Sequence, residues 1–99
     1  MQGKFDSIIS GPRPVLIDFH ALWCEPCKLQ SPILKEVAAE FGERVRVLKI
    51  DVDQNNEIAQ RYNVQSVPTL MIFKNNKLVW RQSGVVSKNQ LISVLFQNI

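Results

Sequence analysis

The spacing of apolar residues changes along the chain, and each spacing predicts a different element. Near-continuous apolar runs, typical of strands buried on both faces, occupy Val15–Phe19 and Thr69–Phe73. The stretch Arg44–Val52 alternates between apolar and polar residues, as a strand does. Asn75-Asn76 predicts a hairpin turn, because Asn tolerates positive φ, and Lys77–Gln82 then returns as the partner strand.

Helical spacing marks the segments between the strands. Short helices are predicted at Lys4–Ser10 and Gln54–Tyr62, and a long one at Cys24–Phe41, where Gly42 supplies the stop. Ser87-Lys-Asn-Gln90 is typical of a capping box and opens a last helix. The residues predicted to face inward on the two longer helices are Leu29, Ile33, Leu34, Val37, Ala38, Phe41, Leu91, Ile92, Leu95 and Phe96.

The resulting order, α-β-α-β-α-β-β-α, indicates an α/β fold. Strands joined through helices form parallel pairs by right-handed crossovers, and the hairpin adds an antiparallel edge. We therefore expect a mixed central sheet with helices on both faces. The 99 residues predict a single domain, 1–99, which buries roughly 60 to 70% of the surface of the unfolded chain.

Composition and charge exclude several classes of function. The chain is 45% hydrophobic and 21% charged, as globular proteins are, and its net charge of +3 comes from scattered basic residues. No basic stripe for nucleic acid and no apolar run long enough for a membrane span is present. The first ten residues, MQGKFDSIIS, lack the apolar core of a signal peptide, so a cytoplasmic protein is expected, although processing of a longer precursor stays open.

The two cysteines of the chain lie in the stretch Trp-Cys-Glu-Pro-Cys, residues 23–27. This pair opens a predicted helix directly after a buried strand. The unpaired N–H groups and partial positive charge of a helix N-terminus favour a thiolate, so Cys24 is predicted to be exposed and activated. Cys27 lies one turn further in, where it is placed to resolve a mixed disulfide. A C-x-x-C pair in this context is a strong redox signal.

Two other interpretations of the cysteine pair are weaker. A structural zinc ion takes four ligands, and besides Cys24 and Cys27 the chain offers only His20 as a soft ligand, so no metal is predicted. A cluster shared between two copies of the chain stays open as a minor alternative. A structural disulfide that closes so small a loop gains little chain entropy.

Several segments together resemble the thioredoxin family over essentially the whole chain. They are VLIDFHALWCEPCK, SPILKEVAAEF, KIDVDQN, NVQSVPTLMIFKN and Gly84. The resemblance implies a thioredoxin fold and a protein-disulfide reductase that cycles Cys24 and Cys27 between dithiol and disulfide. It implies no bound cofactor, and as partners disulfide-containing client proteins and a thioredoxin reductase; a monomer is expected.

The resemblance also implies roles for two charged strand residues. Asp18 matches the family's buried acid beneath the cysteines. Read from the residues alone, an acid inside VLIDF is desolvated, so its pKa rises and it can relay the Cys27 proton; the alternative is a strand-end Asp turned to water. Lys49 matches the lysine that accompanies this acid, or is a solvated edge charge.

The docking surface is likewise implied by the resemblance. Val67-Pro68-Thr69 matches the family's cis-proline loop facing the attacking cysteine, Cys24. Such a loop pairs its backbone with an extended substrate segment. An apolar rim around this loop is then completed by Trp23, Val67, Gly84 and Val85. Ordinary packing is the alternative interpretation of Trp23. Trp80 is interpreted as a packing residue only.

The chain departs from the family pattern in three places, and each departure leads to a separate expectation. Glu25 stands where glycine is usual, and its charge is expected to raise the pKa of Cys24. His20 stands where an aromatic residue is usual, and either titrates near the site or is a packing substitution. Seventeen residues precede Asp18, which is too few for the family's first strand as well as its first helix, so four strands are predicted, with Arg44–Val52 at an edge.

Some functional alternatives stay open on the sequence. A thioredoxin-fold binding or scaffold module with incidental redox activity is the second interpretation, and a turnover assay distinguishes it from an enzyme. Among enzymes, an oxidase or isomerase is distinguished from a reductase by the reduction potential.

Overall fold

A computed structural model describes residues 2–99. These residues form four helices and four strands, and a 3₁₀ turn at Gly42–Arg44 follows the second helix. The elements are α1 (Gln2–Ile8), β1 (Val15–His20), α2 (Glu25–Phe41), β2 (Arg46–Asp51), α3 (Asn56–Arg61), β3 (Thr69–Lys74), β4 (Lys77–Ser83) and α4 (Lys88–Phe96). The predicted order of elements is confirmed, and α1 begins and ends two residues earlier than predicted.

The four strands form one mixed sheet in the order β2-β1-β3-β4. β1 pairs parallel with β2 and antiparallel with β3, and β3 pairs antiparallel with β4. The hairpin between β3 and β4 turns on Asn75 and Asn76, whose φ angles are 53° and 67°. The predicted four-stranded sheet, with β2 at an edge, is therefore confirmed.

Helices cover both faces of this sheet. α2 and α4 pack on one face, where Leu16 of β1 contributes to their core, and α1 and α3 pack on the other, where Ile17 contributes. Successive side chains of a strand point to opposite faces, so both faces of β1 are buried. This double coverage explains why its sequence is almost continuously apolar.

Two residues predicted to face inward do not. Leu29 is 65% exposed and Phe96 is 52% exposed. The buried residues of α2 are Cys27, Gln30, Leu34, Val37 and Phe41, a three-four spacing that leaves Leu29 to one side. Phe96 likewise follows the buried Leu95 by one residue, and its ring packs against Phe41 at a centroid distance of 5.0 Å.

Candidate active site

The turn between β1 and α2 places the two cysteines at a helix N-terminus. Cys24 is the N-cap residue of α2, and Pro26 lies in the first turn, where a missing N–H is tolerated. The backbone N–H of Cys27 donates to Cys24 Sγ over 3.1 Å. The two sulfur atoms are joined in a disulfide. The site therefore has the geometry of a redox-active pair with a backbone donor aimed at its first sulfur.

The prediction that Cys24 is exposed is wrong for this disulfide form. Cys24 is 3% and Cys27 5% exposed. Val67 covers the pair: its carbonyl oxygen lies 3.6 Å from Cys24 Sγ, and its side chain packs against the small cluster that Ala21 forms with the cysteines. The exposed residues are instead the neighbours of Cys24 in the chain, Trp23 and Glu25.

The loop that covers the cysteines is tied to a second segment. The Val67–Pro68 peptide bond is cis, and Pro68 is buried. The backbone N–H of Gly84 donates to the Pro68 carbonyl over 2.8 Å, and Gly84 has a φ of 87°, which favours glycine. Val85 follows with an exposed side chain. The structure thus places Val67 directly against Cys24 and ties Gly84 to the neighbouring Pro68, with Val85 next to Gly84 in the chain.

Trp23 is a surface residue, so the alternative of ordinary packing is wrong. Its side chain is 70% exposed, and its indole Nε1 donates to Asp53 Oδ2 over 2.9 Å. Trp23, which precedes Cys24, and Val67, which covers it, together line a groove of about 110 Å³. Trp80, by contrast, is half-buried and packs against the core beneath α2 and α4.

Asp18 is fully buried, and neither of its carboxyl oxygens has a hydrogen-bond partner among the described residues. Strand alternation turns its side chain to the same face as Leu16, which α2 covers. Desolvation raises the pKa of Asp18 from 3.8 to about 6, and the charge of Lys49, its partner across β1 and β2, opposes part of the rise. The predicted burial and raised pKa are confirmed, and the alternative of an Asp turned to water is wrong.

Two strand residues near Asp18, His20 and Lys49, line a cleft that also contains Cys27. Lys49 Nζ, which is exposed, donates to Ser31 Oγ over 2.9 Å. The pKa of the half-buried His20 is lowered, first by desolvation and then by the charge of Lys49, while Asp51 opposes this shift. The cleft has a volume of about 270 Å³ and is lined by His20, Ala21, Leu22, Cys27, Lys28, Ser31 and Lys49. The lowered pKa favours the neutral form of the His20 imidazole.

Glu25 does not act alone at the helix N-terminus. Its Oε1 lies 2.9 Å from Lys28 Nζ, and both side chains are mostly exposed. The lysine brings a positive charge to the same first turn, so it opposes the effect that Glu25 has on Cys24.

Gln30, which is fully buried on α2, was not predicted from the sequence to be a functional residue. Its amide hydrogen-bonds both polar groups of the Val86 backbone. The signal was present in the sequence, because Gln30 follows Cys27 by three residues and so continues the buried face of the helix.

Two further findings concern the part of the chain that the structure describes. No three His, Cys, Asp or Glu side chains within residues 2–99 form a group that could hold a metal ion. None of the helices in this range is both long and apolar enough to cross a membrane.

Comparisons with known proteins agree with this geometry. Residues 1–97 match the family model described as thioredoxin. The chain is 40% identical over 96 residues to a thioredoxin of Haemophilus influenzae, which covers 96% of this chain and 90% of that protein. It is 44% identical over 90 residues to the chloroplastic thioredoxin Y of rice; this match covers 90% of the chain but only 54% of the rice protein.

A solved structure shows the same fold. The crystal structure of a thioredoxin from Malassezia sympodialis superposes with a TM-score of 0.88 at 31% sequence identity. The match covers 97% of this chain and 84% of that one.

Proposed function

Because the chain belongs to the thioredoxin family and is a thiol–disulfide oxidoreductase that reduces protein disulfides, we propose that Cys24 attacks the substrate and Cys27 resolves the intermediate. The observation that carries this assignment is the 3.1 Å hydrogen bond from the Cys27 N–H to Cys24 Sγ. A donor at a helix N-terminus stabilises a thiolate on the atom that it faces, and that atom belongs to Cys24.

The reaction runs through two exchanges. The Cys24 thiolate attacks one sulfur of the client disulfide, the client S–S bond breaks, and the other client sulfur leaves as a thiolate. Cys27 then loses its proton and attacks Cys24 Sγ, which forms the Cys24–Cys27 disulfide and releases the second client thiolate. Two electrons pass to the client, and a thioredoxin reductase returns the pair to the dithiol.

Asp18 accepts the Cys27 proton in this proposal. Its pKa of about 6 makes it largely ionised at neutral pH, yet far closer to a thiol in proton affinity than an ordinary carboxyl. Among the described residues no group donates a hydrogen bond to its oxygens, which supports the role because both oxygens stay free to accept a proton. Lys49, whose charge lowers the pKa of Asp18, helps to keep the acid ionised between turnovers.

The docking surface for client proteins consists of Trp23, Val67, Pro68, Gly84 and Val85 in this proposal. The Val67 carbonyl, 3.6 Å from Cys24 Sγ, is placed to accept a backbone hydrogen bond from an extended client segment once the disulfide opens. The exposed side chains of Trp23 and Val85 supply apolar contact. Backbone pairing recognises no particular side chain, which suits many different clients.

We further propose that residues 1–99 act as one monomeric domain and electron carrier in the cytoplasm. The family match over residues 1–97 supports the single domain. The rice relative carries a chloroplastic name, so fractionation of cells that express the protein is the measurement for its compartment.

The assignment of the cysteines is tested by a matched pair of variants. Cys27→Ser should accumulate mixed disulfides with client proteins on non-reducing gels, because the resolving thiol is missing, whereas Cys24→Ser should trap few. In the reduced wild-type protein, a limiting alkylating agent should modify Cys24 before Cys27. Trapping by Cys24→Ser, or first labelling at Cys27, contradicts the assignment. Failure of the wild-type protein to reduce insulin with a dithiol donor contradicts the activity itself.

A further inference from the structure

The side-chain amide of Gln30 forms two hydrogen bonds with the backbone of one residue, Val86. Its Nε2 donates to the Val86 carbonyl over 3.0 Å, and the Val86 N–H donates to Gln30 Oε1 over 2.7 Å. Gln30 and Val86 are both buried. An amide side chain carries the same donor and acceptor as a peptide group, so the pair exchanges two hydrogen bonds, as paired residues of an antiparallel ladder do. Gln30 therefore clamps the backbone at Val86.

The clamp holds the segment that joins β4 to α4. Gly84 at one end of this segment donates to the Pro68 carbonyl, and Ser87 at the other end caps α4 by accepting from the Gln90 N–H. Gln30 fixes the middle of the segment, and Gln30 belongs to α2, the helix whose N-cap residue is Cys24. The cysteines and the Gly84–Val85 segment are thus connected through one rigid helix rather than through a flexible loop.

We propose that Gln30 is a positioning residue for client docking: it fixes Gly84 and Val85 relative to Cys24, so that a client segment meets a preorganised surface. This inference rests on the docking role proposed above for those two residues. A surface that is ordered before binding loses less conformational entropy when the client binds. Because the amide bonds to Val86 and to neither sulfur, its effect falls on client binding and not on sulfur chemistry.

The variant that tests the clamp is Gln30→Met. Methionine is unbranched and close to glutamine in length, so it fills the same space while lacking both polar groups. The Val86 N–H and carbonyl then lose their partners in a buried place, which favours conformations in which the segment moves out to water. Gln60→Leu, an apolar replacement of an exposed glutamine on α3, is the control.

Three measurements on these proteins separate positioning from general destabilisation. The kcat/KM for insulin should fall about tenfold in Gln30→Met, which corresponds to about 1.4 kcal/mol, mainly through a higher KM. The rate constant for a small aromatic disulfide, which needs no docking surface, should change less than about twofold. The reduction potential should stay that of the wild type.

The possible results of these measurements contradict different proposals. Equal losses with insulin and with the small disulfide, or insulin kinetics equal to those of the wild type, overturn the role of Gln30. If wild-type protein does not reduce insulin, the proposed function fails instead. If Gln30→Met does not fold, amide hydrogen exchange of wild-type protein decides: the Val86 amide should exchange at least about tenfold more slowly than an unstructured amide, and exchange at the unstructured rate overturns the clamp.

Discussion

Replacement of the buried acid, Asp18→Asn, should change how the stability of the protein depends on pH. In the folded chain the pKa of Asp18 is about 6, against 3.8 for an exposed aspartate, because burial penalises the carboxylate. At about 1.4 kcal/mol for each unit of pKa, this rise corresponds to roughly 3 kcal/mol. The ionised acid therefore destabilises the folded state by an amount comparable with a large part of the stability of a small domain.

The sign follows from proton binding. The folded state holds the Asp18 proton more tightly than the unfolded chain does, so the free energy of unfolding contributed by this group is highest below the unfolded pKa of 3.8. This contribution to the free energy of unfolding falls as the pH rises from 3.8 to about 6, and it is constant at higher pH. The Asn variant has no carboxyl proton at this position, so this decrease in the free energy of unfolding is absent from it.

The assay is urea denaturation of the oxidised proteins, at about pH 3.5 and about pH 8, because urea does not screen charges. The amide of Asn is buried at both pH values, so its own cost cancels in the comparison between them. The free energy of unfolding of Asp18→Asn minus that of the wild type is the quantity to compare. This difference should be about 2 to 3 kcal/mol larger at the higher pH than at the lower pH. Asp53→Asn, at an exposed position, is the control and should follow the wild type. A pH-independent difference between Asp18→Asn and wild type would refute the reasoning that burial raises this pKa.

Two further pairs of substitutions test the charge and the backbone at the site. Because Glu25 and Lys28 form an ion pair at the N-terminus of α2, Glu25→Gln should lower the pKa of Cys24 and Lys28→Gln should raise it. Titration of the thiolate absorbance at low salt measures both, and shifts of the same sign contradict the electrostatic argument. Gly84→Ala should destabilise the protein by about 1 to 2 kcal/mol in urea because the φ of Gly84 is 87°, whereas none of the described residues other than its chain neighbours lies within 4 Å of a Cβ at this position. Gly11→Ala, where the space is also open and φ is not positive, should be neutral, and equal losses in the two variants exclude backbone strain as the cause.

The periods of the apolar pattern were enough to predict the order of elements and the four-stranded mixed sheet. Local rules were sufficient because the signals are local: a doubly buried strand is almost continuously apolar, and Asn75-Asn76 accepts the positive φ of a tight hairpin. The C-x-x-C spacing placed the chemistry at the start of α2, and the resemblance placed Asp18 beneath it.

The three-dimensional structure decided which side chains water reaches. Leu29 looked like a core residue and Cys24 like a surface residue, yet the opposite is true, because exposure depends on what distant segments cover. Val67 lies 43 residues after Cys24 and covers it, and Val86 lies 56 residues after Gln30 and takes both of its hydrogen bonds. A polar residue on a buried helix face is stable only where such a partner is present. Neither contact produces a periodic pattern of residues in the sequence, because each depends on how the loops at the end of the sheet pack against α2.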